Sequence, residues 1–260
     1  MNLHHYDTYL FDLDGTIYLG DEVLPGAPET IKALRASGKV VRFLSNNPTK
    51  TPEQYAEKLA TMGVPSAPTD VICTLTTTVW WLRTYHPDAV VYPIAAEPLC
   101  QALREGGFQI SEDPSRIDVV ISSYDRGLTH AKLQIAFEAL WYHKRAILIE
   151  TNPDPYCPFP GGRGEVDTAA VTAALQASAQ VDCVASMGKP SPWMFQAALA
   201  DSRVPPQRVL MVGDRLATDV QMAFNCGIDA VVVLTGQTRR EDLTGMYSQI
   251  TSVENLQELL

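Results

Sequence analysis

The chain has 260 residues, 46% hydrophobic and 19% charged, which are ordinary proportions for a globular protein and leave room for one large domain or two modest ones. Its net charge of -10 argues against binding a nucleic-acid backbone, because such proteins present a basic face that neutralises phosphates. The five cysteines form no CxxC pair, no apolar run approaches membrane-spanning length, and the start MNLHHYDTYL lacks a signal-peptide layout, so the expectation is a reduced, soluble, cytoplasmic protein with neither nucleic-acid nor membrane partner.

In chain order, a first apolar run, TYLFDL, ends at Asp12 and Asp14 and gives way to the turn-rich stretch DGTIYLGDEVLPGAPET before the helical pattern ETIKALRASG. The second run, KVVRFLSN, stops in small polar residues. It is followed by a helix start in which Thr51 is placed to cap, Pro52 takes the first position and Gln54 completes a capping box. The alternation repeats in DVICT with TTTVWWLRTYH, AVVYPIA with EPLCQALREGGF, and IDVVISS with THAKLQIAFEALWYH, and then in AILIE, RVLMVGD and DAVVVLTG. Short β-branched runs that are apolar throughout, separated by helices, predict parallel strands covered on both faces, an α/β doubly wound parallel sheet. The stretch 88–179 holds its own strand and helix series, which predicts an inserted α/β domain between core segments 1–87 and 180–260.

In open parallel sheets the site forms outside the carboxyl ends of the strands, so the loops that follow the runs are the ones to collect. They carry Asp12 and Asp14, then Ser45 and Asn46, then Lys189 in MGKPSPW, then Asp214 and Asp219 in VGDRLATD. Several carboxylates around one point are electrostatically costly without a cation, and hard oxygen ligands with open positions suit Mg2+. Lys189 and Ser45 are parts that cradle a phosphate. With such a set, Asp12 can attack phosphorus as a nucleophile, and Asp14 can protonate a leaving alkoxide and later take a proton from water.

The stretches DLDGT (12–16), SNN (45–47), GKP (188–190) and GDRLATD (213–219) resemble, in order, the four motifs of the haloacid dehalogenase (HAD) superfamily. The segment between SNN and GKP, with TNPDP (151–155) and GKPSPW, resembles the large α/β cap of the NagD-like, p-nitrophenyl phosphatase-like branch. That resemblance implies a HAD-like core and a phosphoric monoester hydrolase acting on a small phosphorylated metabolite: a sugar phosphate, a nucleoside monophosphate or p-nitrophenyl phosphate. It implies Asp12, Asp14 (through its carbonyl) and Asp214 as Mg2+ ligands and Ser45, Asn46 and Lys189 as phosphate binders. Asp219 would then act through water or hold Lys189. Related caps often dimerise, so a homodimer is allowed and the oligomeric state stays open.

On the cap, Asn152, Asp154, Tyr156 and Arg163, with Tyr124 and Arg126, are candidates to face the leaving group, though each also fits a turn former or rim residue. Asp167 and Thr168, in GEVDTAAV, stand where members of the branch tend to have a small Gly-rich stretch. Phosphotransfer to a second substrate, as in mutases, and a non-hydrolytic phospho-acceptor are the alternatives. A receiver is usually shorter and does not need a proton donor two residues after its nucleophile.

Overall fold

The computed structural model describes residues 5–159 and 162–260, and these form two compact units. Among the described residues the first consists of 5–45, 52–73 and 189–260, the second of 46–51, 74–159 and 162–188. The second unit reaches beyond 88–179 at both ends. At one end the Thr74–Tyr85 helix packs on the Glu97–Glu105 helix, and at the other the Cys183–Ser186 strand pairs with Ile147–Glu150.

The first unit is built on a six-stranded parallel sheet in the order Thr251–Val253, Asp229–Val233, Val209–Gly213, Thr8–Asp12, Val40–Ser45, Val71–Cys73. Chain order runs outward in both directions from Thr8–Asp12, so the topology switches between that strand and Val209–Gly213. The central strands are buried residue by residue, as their unbroken apolar runs require. Leu10, Met211 and Val232 pack with Met194, Phe195, Val220 and Met222 in one core cluster. The Pro52–Thr61 helix starts at the proline, and the Pro192–Ala198 helix is capped by Ser191, whose hydroxyl accepts the Trp193 N–H.

The second unit has a five-stranded parallel sheet in the order Cys183–Ser186, Ile147–Glu150, Val119–Ser122, Val90–Ile94, Gln109–Ile110, with a separate antiparallel hairpin, Tyr156–Phe159 and Arg163–Val166. Its core joins Ile94, Val120 and Leu148 to Ala136, Leu140, Val171 and Leu175. Both units are therefore the α/β arrangement that the apolar runs predict.

Candidate active site

Parallel neighbours deliver their carboxyl ends to one edge of the sheet. Phe11 lies opposite Val212 and Asp12 opposite Leu44, so Asp12, the loop at Asp214 and the end of Val40–Ser45 fall side by side. The strand stops at Asp12 because the chain turns at once: the Leu13 carbonyl accepts the N–H groups of Ile17 (2.9 Å) and Tyr18 (3.2 Å), and Gly15 N–H donates to the Tyr18 carbonyl (2.7 Å). Asp12 is left buried, while Asp14, two residues on, is exposed. Gly15 has φ +90°, and a Cβ there would meet the Asp214 carboxylate at 2.5 Å, so both conformation and space require glycine.

Lys189 is 2% exposed, and its ammonium is ion-paired with Asp12 and, at 2.7 Å, with Asp219 Oδ1. Burial alone would pull its pKa down, but the charges of Asp12 and Asp219 outweigh it and push the value above that of an ordinary lysine. Asp219, 1% exposed, also accepts the Arg215 N–H at Oδ2 (3.0 Å). Asp214, equally buried, accepts the Gln237 N–H at Oδ2 (2.7 Å), and its carbonyl accepts the Thr238 N–H (3.1 Å). Its Oδ1 is buried and has no hydrogen-bond partner among the described residues. Burial, then the charges of Asp12 and Asp219, raise the Asp214 pKa from 3.8 to about 8, against the pull of the Gln237 N–H. Burial likewise raises Asp219, with Lys189 opposing.

Ligand atoms of Asp12, Asp214 and Asp219 lie within 4.8 Å of one another. If all are ionised, three carboxylates against one ammonium leave two negative charges in a low-dielectric site. One divalent cation would balance them. An all-oxygen donor set with one orphaned, buried carboxylate oxygen fits a hard divalent metal ion.

The Ser45 hydroxyl, also buried, is hydrogen-bonded to the Tyr55 hydroxyl at 2.9 Å. Tyr55 and Tyr18 are themselves buried, and burial pushes both phenols well above their ordinary value.

The remaining sequence candidates belong to the second unit. Asn46, next after Ser45, donates its side-chain amide to Asp154 Oδ2 (3.1 Å). Asn152 is fully buried and donates to the Asn46 carbonyl (3.2 Å) and to Thr168 Oγ1 (3.2 Å). Tyr156 and Arg163 are exposed on the hairpin, where Tyr156 pairs in register with Val166 and Phe159 with Arg163. Tyr124 and Arg126 share one partner, Glu165, which accepts the Tyr124 hydroxyl and the Arg126 Nε at 2.9 Å.

Sequence reading missed Tyr55 and the backbone of Gln237 and Thr238 that holds Asp214. The second could have been found, since TGQT is the loop that follows the run DAVVV. Nothing local marks Tyr55, which reads as one more apolar position of its helix.

Comparison with known proteins finds relatives in both sequence and fold. A family model described as haloacid dehalogenase-like hydrolase matches residues 9–109, and one described as HAD-hydrolase-like matches 186–259. A protein named acid sugar phosphatase from Staphylococcus aureus is 35% identical over 245 residues, covering 93% of this chain and 91% of the relative. Among solved structures, a 4-nitrophenylphosphatase from Thermotoga maritima superposes with TM-score 0.90 at 31% identity, over 99% of this chain and 97% of the other. A structure described as a putative nagD protein gives TM-score 0.87 at 30% identity, over 97% and 96%.

A carboxyl whose folded-state pKa lies above its unfolded one binds extra protons when folded, so the stability it contributes is present at low pH and lost as pH rises. For Asp214 the window runs from 3.8 to about 8. Metal-free protein should therefore lose stability across that window, by at most about 1.4 kcal/mol per pH unit for one proton. Asp214→Asn should flatten the dependence, as thermal melts from pH 5 to pH 8 in the presence of a chelator would show.

Proposed function

Since this chain belongs to the haloacid dehalogenase-like hydrolases, in their NagD-like branch, we propose that it is a Mg2+-dependent phosphatase of small phosphate monoesters that works through an aspartyl phosphate on Asp12. The observation that carries the reading is the buried Lys189 between Asp12 and Asp219, next to the orphaned oxygen of Asp214.

In the first step an Asp12 oxygen forms a bond to phosphorus as the ester P–O bond breaks, and Asp14 gives its proton to the departing alkoxide. In the second, water attacks phosphorus, the bond to Asp12 breaks, and Asp14 takes the water's proton. Asp14 suits this exchange because it is exposed, whereas Asp12 is buried and oriented by Lys189. Lys189 and the Ser45 hydroxyl meet the charge on the phosphoryl oxygens, with Asn46 following in the same loop. Asp12, Asp214 and the Asp14 carbonyl would hold Mg2+, while Asp219 anchors Lys189. When bound, the ion neutralises charge that the three equatorial oxygens carry in the transition state.

The names of the relatives favour a sugar phosphate as substrate, with p-nitrophenyl phosphate as a surrogate. Among the described residues no helix is long and apolar enough to cross a membrane; a cytoplasmic location is favoured by the five cysteines, which are free thiols.

Phosphate release from a panel of small esters, with and without Mg2+, tests the reading. The wild type should hydrolyse at least one ester only with the metal, and Asp12→Asn should be inactive; full activity in the variant would refute it. Asp14→Asn should slow sugar phosphates by about 10²–10⁴-fold, the usual worth of general acid catalysis, and p-nitrophenyl phosphate far less, because p-nitrophenolate leaves without a proton. Equal losses on both would remove the proton-transfer role.

A further inference from the structure

We propose that Asp167 and Thr168 are positioning residues: acting through Asn152, they hold the loop that begins at Asn46 and so set its affinity for phosphate. The proposal rests on the phosphatase reading and adds to it a role for two residues that no motif explains.

Both lie where small residues would need no partners. Here they bring a carboxylate and a hydroxyl into the interior, with Thr168 fully buried and Asp167 nearly so, and a buried polar group without a partner is costly. Their partners form one connected chain. Asp167 Oδ1 accepts the Thr168 N–H (2.6 Å) and the Thr168 hydroxyl (2.9 Å). With its single proton committed to Asp167, the Thr168 oxygen is an acceptor toward Asn152 Nδ2 (3.2 Å).

The other hydrogen of Nδ2 goes to the Asn46 carbonyl (3.2 Å), and Asn152 Oδ1 accepts the Asp154 N–H (2.9 Å). Both donors and the carbonyl of this amide are used, which fixes its orientation. Asp154 closes the circuit by accepting from the Asn46 side chain (3.1 Å). Asn46 is thus held at its carbonyl and at its side chain. The packing leaves no slack around it: a Cβ on Gly188 would lie 2.8 Å from Asn46 Oδ1 and 2.9 Å from Asn152 Cβ.

The Asp167 contact to the Thr168 N–H also caps the Thr168–Ala179 helix, and a cap alone would affect only stability. The two roles separate experimentally. Thr168→Val keeps the shape and removes both the acceptor for Asn152 Nδ2 and the hydroxyl that donates to Asp167, breaking the chain at its middle link. It should weaken inorganic phosphate as a competitive inhibitor of p-nitrophenyl phosphate hydrolysis by about tenfold, with kcat changed far less, since a loop no longer held in place must be ordered at the expense of binding. Amide hydrogen exchange across residues 46–51 should speed up in the same variant. Thr168→Ser should restore both, and Thr168→Val should add nothing in an Asn152→Ala background.

Unchanged exchange in Thr168→Val, or a fall in melting temperature with phosphate affinity intact, would reduce the pair to a helix cap and overturn the proposal. Faster exchange with unchanged phosphate affinity would overturn it too, and leave the phosphatase reading standing if the wild type hydrolyses esters. A wild type that hydrolyses none would sink the phosphatase reading itself.

Discussion

Three carboxylates are buried around one lysine at the head of a parallel sheet, and much of the first unit can be understood as making that arrangement tolerable. Charges of one sign in a low-dielectric setting repel strongly, and each loses its hydration on burial. The protein offsets part of this with an ammonium shared between Asp12 and Asp219 and with backbone N–H groups on Asp214 and Asp219, and it leaves one buried oxygen of Asp214 without a partner among the described residues. With all three ionised, the two negative charges that remain are what one divalent cation would neutralise. On the reading proposed above, a divalent cation would relieve the cost of assembling this site, whose donors are all oxygens.

Position follows from topology. The strand that ends in Asp12 and the strand that precedes Asp214 are chain-distant but paired neighbours, with the order reversing between them. Because all six strands are parallel, their following loops share one edge, and rigid, fully buried strands hold the loop ends to sub-ångström tolerance more readily than flexible segments would. The turn from Leu13 to Tyr18 then separates two aspartates that sequence places two apart. One is buried beside the lysine and the other faces water, as different chemical tasks require.

The fold was legible in the sequence because buried parallel strands leave continuous apolar runs, and the residues of the first unit's cluster were legible because they sit where those runs stop. Other features were not, for reasons of distance along the chain. Asn152 contacts the Asn46 carbonyl across 106 residues, and no local pattern announces such a pairing. Asn152 and Asp154 read from sequence either as groups facing a substrate or as turn formers, and the structure adds side-chain hydrogen bonds to Asn46 and Thr168 that neither reading contained. Tyr55 was hidden differently: on a helix its spacing is that of a core residue, and only the fold shows its hydroxyl reaching Ser45. The limits of the second unit were blurred because Thr74–Tyr85 looks in sequence like any helix of the doubly wound sheet, and only packing assigns it.

The central claim is that Asp12, oriented by Lys189, takes the phosphoryl group covalently. Acid quenching of the wild-type protein during turnover of a labelled phosphate ester, followed by peptide mass spectrometry, tests it most directly. The account predicts an acid-stable, hydroxylamine-labile phosphoryl group on the peptide containing Asp12. Label on another residue, or none on the protein in repeated quenches at times when phosphate is being released, would contradict it.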